Sequence, residues 1–543
     1  MQLKDALEIL EEIVFYLELK EENVFKINAF NSAIRNLSRF DVSLKEAFDK
    51  EIIQNTKGVG KTIQSILKEI LEKNESSLLN ELKSEFPPEI YSLTKIRGLG
   101  AKKIKKLYEE LNISSIEELE QACIENKLVK IPGFGEKTQS SILENINKLK
   151  TTKGKLLLHH ADFIYDELEA ELKKIYKNKF SPTGSLRLRS RIIPKIEILF
   201  ENNSIQKKII EKYSFKPINE NVYAGIFNDA EIYFIFTDEK QFYYDLLRTT
   251  GPESFLNKIN FNSLKINEFK SEEEIFDKLN LPFIPPQARE NENLELRFYD
   301  FPSLNDLKGL IHIHSNYSDG SNSIKEILEY AEKKNYEYVL LCDHSKSAFY
   351  ANGLDENRVK EQWREIDEIN SKSKKVKILK GIECDILPDG SLDFEDSFLE
   401  KFDCVIASVH SKFKMTEDEM TKRISKALKN KYVKILGHPT GRLLLSRDGY
   451  PLNLNEIINV AANEGKSIEL NCNPHRLDLD WEFHQKAISK GIKITISPDA
   501  HSFEDMEFVR YGIDMAIKGG LEKKDIVNCF SLDEFLKIFC QKQ

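Results

Sequence analysis

Leu310-Ile311-His312-Ile313-His314 joins a short apolar strand to two histidines spaced two apart, and Ser497-Pro498-Asp499-Ala500-His501 repeats the arrangement near the C-terminus. Between them runs a series of similar apolar segments. They are Tyr338-Val339-Leu340-Leu341, Val376 to Leu379, Val405-Ile406-Ala407, Val433 to Leu436, Ile468 to Leu470 and Ile492 to Ile496, each separated from the next by amphipathic helical spacing. Seven strand–helix units within residues 304–543 predict a barrel of parallel strands rather than an open sheet.

A polar cluster follows nearly every strand, at the end where such barrels place their chemistry. Beyond His312, His314 and Asp319 come Asp343-His344-Ser345, Gly381-Ile382-Glu383, Ser408-Val409-His410 and Gly437-His438-Pro439-Thr440-Gly441-Arg442. Alternate residues of an extended segment share a side, so His312 with His314, and Asp499 with His501, can each grip one ion together. Seven of the ten histidines, counting His475, lie at strand ends of this region. A lone histidine is usually a satisfied structural residue, but that reading does not explain seven placed this way. Imidazoles mixed with a few carboxylates suit Zn²⁺, Mn²⁺ or Fe²⁺ better than Ca²⁺.

The first 150 residues read differently. Ala6, Leu7, Leu10, Ile13, Val14 and Leu17 mark an amphipathic helix, and three glycine pairs, Gly58/Gly60, Gly98/Gly100 and Gly133/Gly135, each open a new helical pattern. Glycines permit the tight turn, and the next helix then aims its free N–H groups at an anion. Lys61, Lys102, Lys103 and Lys137 follow these turns, and six basic residues with no acidic one lie between Lys95 and Lys106. The chain as a whole carries −9, so any DNA contact rests on such local patches. These elements resemble helix-hairpin-helix motifs, which hold the DNA backbone with little regard to sequence.

The stretch Leu17 to Phe30 and the later Thr183-Gly184-Ser185-Leu186-Arg187 resemble bacterial family X DNA polymerases. In that family the Gly-Ser leads into a strand bearing the two carboxylates that hold catalytic Mg²⁺. Spacing from Gly184 puts Lys195 and Glu197 there, and counting back from Thr250-Gly251 puts Tyr233 at the third acid's place, with Glu231 as the alternative if the register slips. A degenerate polymerase site is expected. Gly184, Ser185 and Arg187 then read as turn chemistry more than as a phosphate site. The family's lyase lysine falls on Ile66, with Lys61 and Lys68 only near it, so lyase activity is not expected.

Taken together, the motifs resemble bacterial PolX proteins, in which a PHP phosphoesterase barrel follows the polymerase-like part. The resemblance implies a multidomain α+β and α/β chain: helical DNA-binding region 1–150, palm and thumb 151–285, proline-stiffened linker 286–303 and a distorted (β/α)7 PHP barrel 304–543. It implies three divalent ions, Mn²⁺ or Zn²⁺, with Fe²⁺ a further candidate. His312, His314, Glu383 and Asp499 would hold the first, and Glu383 with His410 and His438 the second. Asp319, His344 and His501 would hold the third. His312, His314, Glu383 and Asp499 carry the catalytic role, in which metal-activated water attacks a phosphodiester without a protein nucleophile. Arg442 and Lys346 are candidate phosphate contacts, Asp343 a carboxylate that fixes an imidazole, and His475 a turn residue or pocket lining. The function expected is a 3′→5′ exonuclease or 3′-end phosphodiesterase of DNA repair, binding recessed or gapped ends. A small-molecule PHP phosphatase and a DNA-end-binding protein are the alternatives.

Composition sets outer bounds. With 543 residues, 41% hydrophobic and 31% charged, the chain exceeds one core and should fold throughout. Cys123, Cys342, Cys384, Cys404, Cys472, Cys529 and Cys540 form no CxxC pair, which excludes a zinc ribbon and favours buried thiols. No apolar run approaches the ~18 residues of a spanning helix. A cytoplasmic, nucleoid-associated monomer is the expectation.

Overall fold

The computed structural model describes residues 1–40, 42–201, 206–265 and 268–539. They divide into two compact units, Met1–Lys153 and Gly154–Gln543.

The first unit is helical. Ala6, Leu7, Leu10, Ile13, Val14 and Leu17 are all buried on the helix Leu3–Leu19, as their spacing predicts. The three glycine pairs each build the same turn. Gly58, Gly98 and Gly133 take φ of 90°, 89° and 93°, and Gly60, Gly100 and Gly135 cap the helices Lys61–Lys73, Ala101–Leu111 and Glu136–Thr152. A Cβ at Gly98 or Gly133 would meet nothing within 4 Å, so backbone conformation, not crowding, demands glycine there. Val59, Leu99 and Phe134, between the glycines, are buried and pin each turn to the core. Ile66 belongs to the same core, so the lyase position holds no nucleophile.

The second unit contains two sheets that matter for function. A five-stranded sheet runs β1 (Phe180–Thr183), β2 (Ile196–Glu201), β3 (Lys216–Asn219), β4 (Val222–Phe227) and β5 (Ala230–Thr237), in spatial order β1-β2-β5-β4-β3. β2 and β5 are parallel, and their register sets Glu197 directly beside Tyr233. Along β5 the alternation of Ile232, Phe234 and Phe236 inward with Glu231 and Tyr233 outward follows the period of two.

The other sheet has seven parallel strands in chain order. They are β6 (Gly309–Ile313), β7 (Tyr338–Leu341), β8 (Lys377–Asp385), β9 (Cys404–Ser408), β10 (Val433–Leu436), β11 (Ser467–Asn471) and β12 (Ile494–Ser497). Every residue of β6, β7, β9, β11 and β12 is buried, as strands covered on both faces must be. A parallel bridge between Ile313 and Ala500 all but closes the ring. The His314 amide donates to the Ala500 carbonyl at 2.9 Å and the Ala500 amide to the His312 carbonyl at 3.3 Å.

The five-stranded sheet and the barrel share one unit and one hydrophobic core, and charged side chains also tie them together. Arg189 holds Asp162 and, at 2.7 Å, Asp514, while fully buried Lys518 donates to the Leu188 carbonyl at 2.9 Å and to Glu290. The segment expected as a linker, 286–303, is packed rather than free. Arg289 in it is 0% exposed and grips Glu272 with both terminal nitrogens at 2.8 and 3.1 Å, and Asn291 bonds the Lys518 carbonyl at 2.9 Å. Prolines stiffen this stretch, but an arginine with a buried partner makes it part of the fold.

The six described cysteines are free thiols and all but Cys529 are buried; Cys540 lies outside the described residues. Among the described residues no helix is long and apolar enough to cross a membrane.

Candidate metal centre

The Ile313–Ala500 bridge brings the first and last strands' polar ends together. It does so through irregular backbone rather than simple alternation. His312 is a bulge, where the β6–β7 register shifts between Ile311 and Ile313, and its φ is 68°; Asp499, past the end of β12, has φ 52°. Left-handed backbone at non-glycine residues costs about 1 kcal/mol or more and gathers at functional sites. The bulge turns His312 inward beside His314, their ring centroids 5.2 Å apart.

Glu383, at the end of β8 and 0% exposed, is the centre of the cluster. Its Oε1 lies 2.9 Å from His438 Nε2, 3.2 Å from His410 Nε2 and 3.5 Å from His312 Nε2. Its Oε2 lies 2.8 Å from His344 Nδ1 and 3.8 Å from His314 Nε2. Asp499 Oδ1 sits 3.0 Å from His314 Nε2 and 3.5 Å from His312 Nε2. Asp319 Oδ1 faces His501, His344 and His314 at 3.3, 3.7 and 3.9 Å. All nine residues expected as ligands therefore meet in one place.

Their donor atoms fall into three overlapping groups within 4.8 Å: His312, His314, Glu383 and Asp499; His314, Asp319, His344 and His501; His344, Glu383 and His410. The first is the expected set. The others share His314 and His344 more widely than expected, and His438 joins through Glu383.

The electrostatics fit cations. Burial alone would raise the Glu383 carboxyl, yet His410, His312 and His344 hold it well below the carboxylate range. Burial likewise opposes charge on His410, but Glu383 and Asp385 push it up to about 10; for His501, Asp319 and Asp499 outweigh burial and push it up to about 9. Carboxylates here stay ionised and imidazoles compete for protons that a metal would displace. His312 Nε2 and His314 Nδ1 are buried without a hydrogen-bond partner among the described residues. Such orphans cost about 1–3 kcal/mol each unless something satisfies them, and divalent ions do so with this donor set.

Carboxylates behind the cluster aim its imidazoles. Glu469, mid-strand on β11 and 0% exposed, accepts from His312 Nδ1 at 2.6 Å and from the His438 amide at 3.1 Å. Asn471 bridges Glu469 and Asp499 at 3.0 and 3.1 Å, and Asp385 takes His410 Nδ1 at 3.2 Å. Asp343, expected in this role, does something else. Its carboxylate accepts from Ser315 at 2.7 and 2.8 Å, from the Ser318 amide at 3.2 Å and from Gln362, and so fixes the loop after β6. Adjacency to His344 misled because the Asp343 carboxylate is taken up by Ser315, Ser318 and Gln362. The signal for Glu469 was present: a carboxylate between Ile468 and Leu470, in an apolar strand, needs a buried partner.

The expected phosphate contacts are engaged elsewhere. Arg442 donates to Asp480, to the Arg476 carbonyl at 2.8 Å and to the Leu477 carbonyl, which makes it a brace of the loop after β11. Lys346 pairs with Glu356 at 2.9 Å on the surface. The guanidinium that does reach the cluster is Arg476, with Nε 3.9 Å from Asp499 Oδ2. His475 stands outside the cluster, its ring 4.9 Å from that of His159.

In the five-stranded sheet, Lys195 Nζ lies 2.8 Å from Glu197 and 4.4 Å from the centroid of the Tyr233 ring. Gly184 takes φ 57°, a conformation that favours glycine, while the nearest atom a Cβ would meet is the movable carboxylate end of Glu197. Arg187 is bound to Glu272 and to Thr250 at 3.0 Å, the structural use of the Gly-Ser-Leu-Arg turn. Around the hairpins, Lys103 donates to the Gly98 carbonyl at 2.9 Å and Lys105 pairs with Glu21 at 3.0 Å. Lys61, Lys102 and Lys137, on the helices that the glycines open, form no ion pair among the described residues.

A near-closed parallel barrel with a histidine–carboxylate cluster at the carboxyl ends of its strands defines a PHP-type metal-dependent phosphoesterase, and the PHP domain family matches residues 311–473. The helix-hairpin-helix domain matches residues 1–76 and the SAM-like helix-hairpin-helix tandem residues 90–148. The chain is 35% identical to the DNA polymerase/3′-5′ exonuclease PolX of Bacillus subtilis (strain 168), over 99% of this chain and 100% of that protein. It belongs to the bacterial PolX family. The chain is also 28% identical to a probable phosphatase of Thermoanaerobacter sp. (strain X514), over 42% of this chain and 93% of that protein.

Proposed function

We propose that this chain is a metal-dependent 3′→5′ exodeoxyribonuclease that processes DNA ends in repair, and that its polymerase activity is lost. The observation that carries the reading is the gathering of nine imidazoles and carboxylates in one cluster with Glu383 at its centre, in a chain whose other unit is built of helix-hairpin-helix turns. His312, His314, Glu383 and Asp499 would hold one ion, Glu383, His410 and His438 a second, and Asp319, His344 and His501 a third, with Mn²⁺ or Zn²⁺ the best match and Fe²⁺ compatible. Bound ions supply Lewis acidity, which activates water near neutral pH and neutralises phosphate charge.

The chain's own groups do the rest. Glu469 and Asp385 orient His312 and His410, and Asn471 holds Asp499. Arg476, on the rim, is placed to steady a phosphate oxygen of the scissile diester. Lys61, Lys102 and Lys137, with the amides after Gly60, Gly100 and Gly135, would grip backbone phosphates without reading bases. In the palm-like sheet, Lys195 would repel Mg²⁺ by several kcal/mol at this partly buried separation, and Tyr233 supplies no carboxylate. The protein would work as a cytoplasmic monomer on recessed or gapped nucleoid DNA.

Replacing Glu383 with Ala tests the assignment: hydrolysis should disappear while duplex binding changes little, and retained hydrolysis would remove Glu383 from the site. A second reading, a phosphatase of small phosphomonoesters, draws on the phosphatase relatives of the barrel; the three hairpins favour DNA.

A further inference from the structure

Directly after the cluster residue His344, the chain makes a tight loop that carries two adjacent exposed aromatics, Phe349 (85% exposed) and Tyr350 (65% exposed). Large apolar rings are seldom left in water side by side without a use. Their centroids are 6.1 Å apart at an interplanar angle of 76°, so they form a corner rather than burying each other.

The loop is rigid. The Leu354 amide donates to the His344 carbonyl at 2.8 Å, and Ser347 is held by Asp393 through its amide and hydroxyl. Asn352 Nδ2 donates to the carbonyls of Tyr317 and Ser318 at 3.0 and 3.2 Å, next to the cluster residue Asp319. Arg358 adds a bond to the Asn352 carbonyl at 2.7 Å. One end of the loop is thus tied to His344 and the other to the Asp319 loop, so the aromatic corner stands at the edge of the cluster. The Tyr350 hydroxyl senses that position. Desolvation first, and then the negative charges of Asp385, Glu383 and Asp319, push it above the ordinary phenol range.

We propose that Phe349 and Tyr350 form a stacking platform for the nucleobase of the 3′-terminal nucleotide, setting its phosphodiester over the cluster. Every base has a π face, so such a platform grips DNA ends without sequence preference, in keeping with hairpins that hold only the backbone. It also favours an unpaired terminal base, because a paired one must first leave its stack. The proposal rests on the exonuclease reading and names the part of the substrate that this rim recognises.

The test uses the full chain and the double variant Phe349→Ala/Tyr350→Ala, with Tyr350→Phe as the conservative control. Binding is read without turnover, in chelator, from the fluorescence of a 3′-terminal 2-aminopurine oligonucleotide. Wild type and Tyr350→Phe should quench it and the double variant should not. With Mn²⁺ supplied, the double variant should lose roughly 5- to 100-fold in kcat/KM on an ordinary 3′ end, the range stacking on one base gives. It should match wild type on a 3′-terminal tetrahydrofuran abasic site. Quenching that survives in the double variant, or an equal loss on both substrates, would overturn the platform. Wild-type protein that quenches but cuts neither substrate would sink the exonuclease reading and leave the platform standing.

Discussion

His312 Nδ1 lies 2.6 Å from Glu469 Oε2, both side chains fully buried, so the carboxylate fixes which imidazole nitrogen faces Glu383 and Asp499. Glu469→Gln keeps the shape and removes the charge. Metal affinity or hydrolysis should fall about 10- to 100-fold, the usual effect of losing such a partner. Metal content after dialysis against graded chelator checks this separately from activity. Unchanged retention would show that Glu469 only fills the strand.

Arg476 and Arg442 have different tasks, the first at the rim of the cluster and the second as a brace. Arg476→Ala should raise KM for DNA ends with little loss of folded protein, because its guanidinium lies at the rim of the cluster. Arg442→Ala should instead lower the denaturation midpoint, since it breaks bonds to Asp480 and two carbonyls. Steady-state kinetics and a denaturant titration on the two variants separate the roles, and a reversed pattern would contradict them.

The Lys195–Glu197 pair bears on polymerase activity. No templated extension of a primer is expected with Mg²⁺ or Mn²⁺, even in the Glu383→Ala background where no hydrolysis competes. Extension above a no-enzyme blank would refute the loss.

Acid stability has a separate source in His484, fully buried and clear of the cluster. Burial pushes its imidazole down to about 3 from 6.5, so the unfolded chain takes up the proton first as pH falls. Its contribution is fully present above pH 6.5 and is lost from there downward, about 2 kcal/mol by pH 5. The stability gap between wild type and His484→Gln should narrow by about that amount between pH 8 and pH 5 in denaturant titrations. A gap independent of pH would mean His484 is not kept neutral.

Much of this was legible in the sequence because each feature has a local cause. Gly58, Gly98 and Gly133 mark positions that need positive φ, and histidines at strand ends mark the face where a parallel barrel gathers its loops. What resisted reading is non-local. Nothing near Glu469 in sequence names His312 as its partner, 157 residues away, and nothing near Arg289 announces that Glu272 buries it. The pairing of His312 with His314 was anticipated, but the bulge that achieves it appears only once β6 is set against β7.

The Glu383 cluster is expected to degrade DNA from its 3′ end. Digestion of a 5′-labelled, 3′-recessed duplex by protein reconstituted with Mn²⁺ or Zn²⁺ tests it most directly. A ladder of progressively shorter labelled strands, absent with Glu383→Ala, is the predicted result; an intact strand alongside rapid hydrolysis of a simple phosphomonoester would contradict the claim and make the barrel a small-molecule phosphatase.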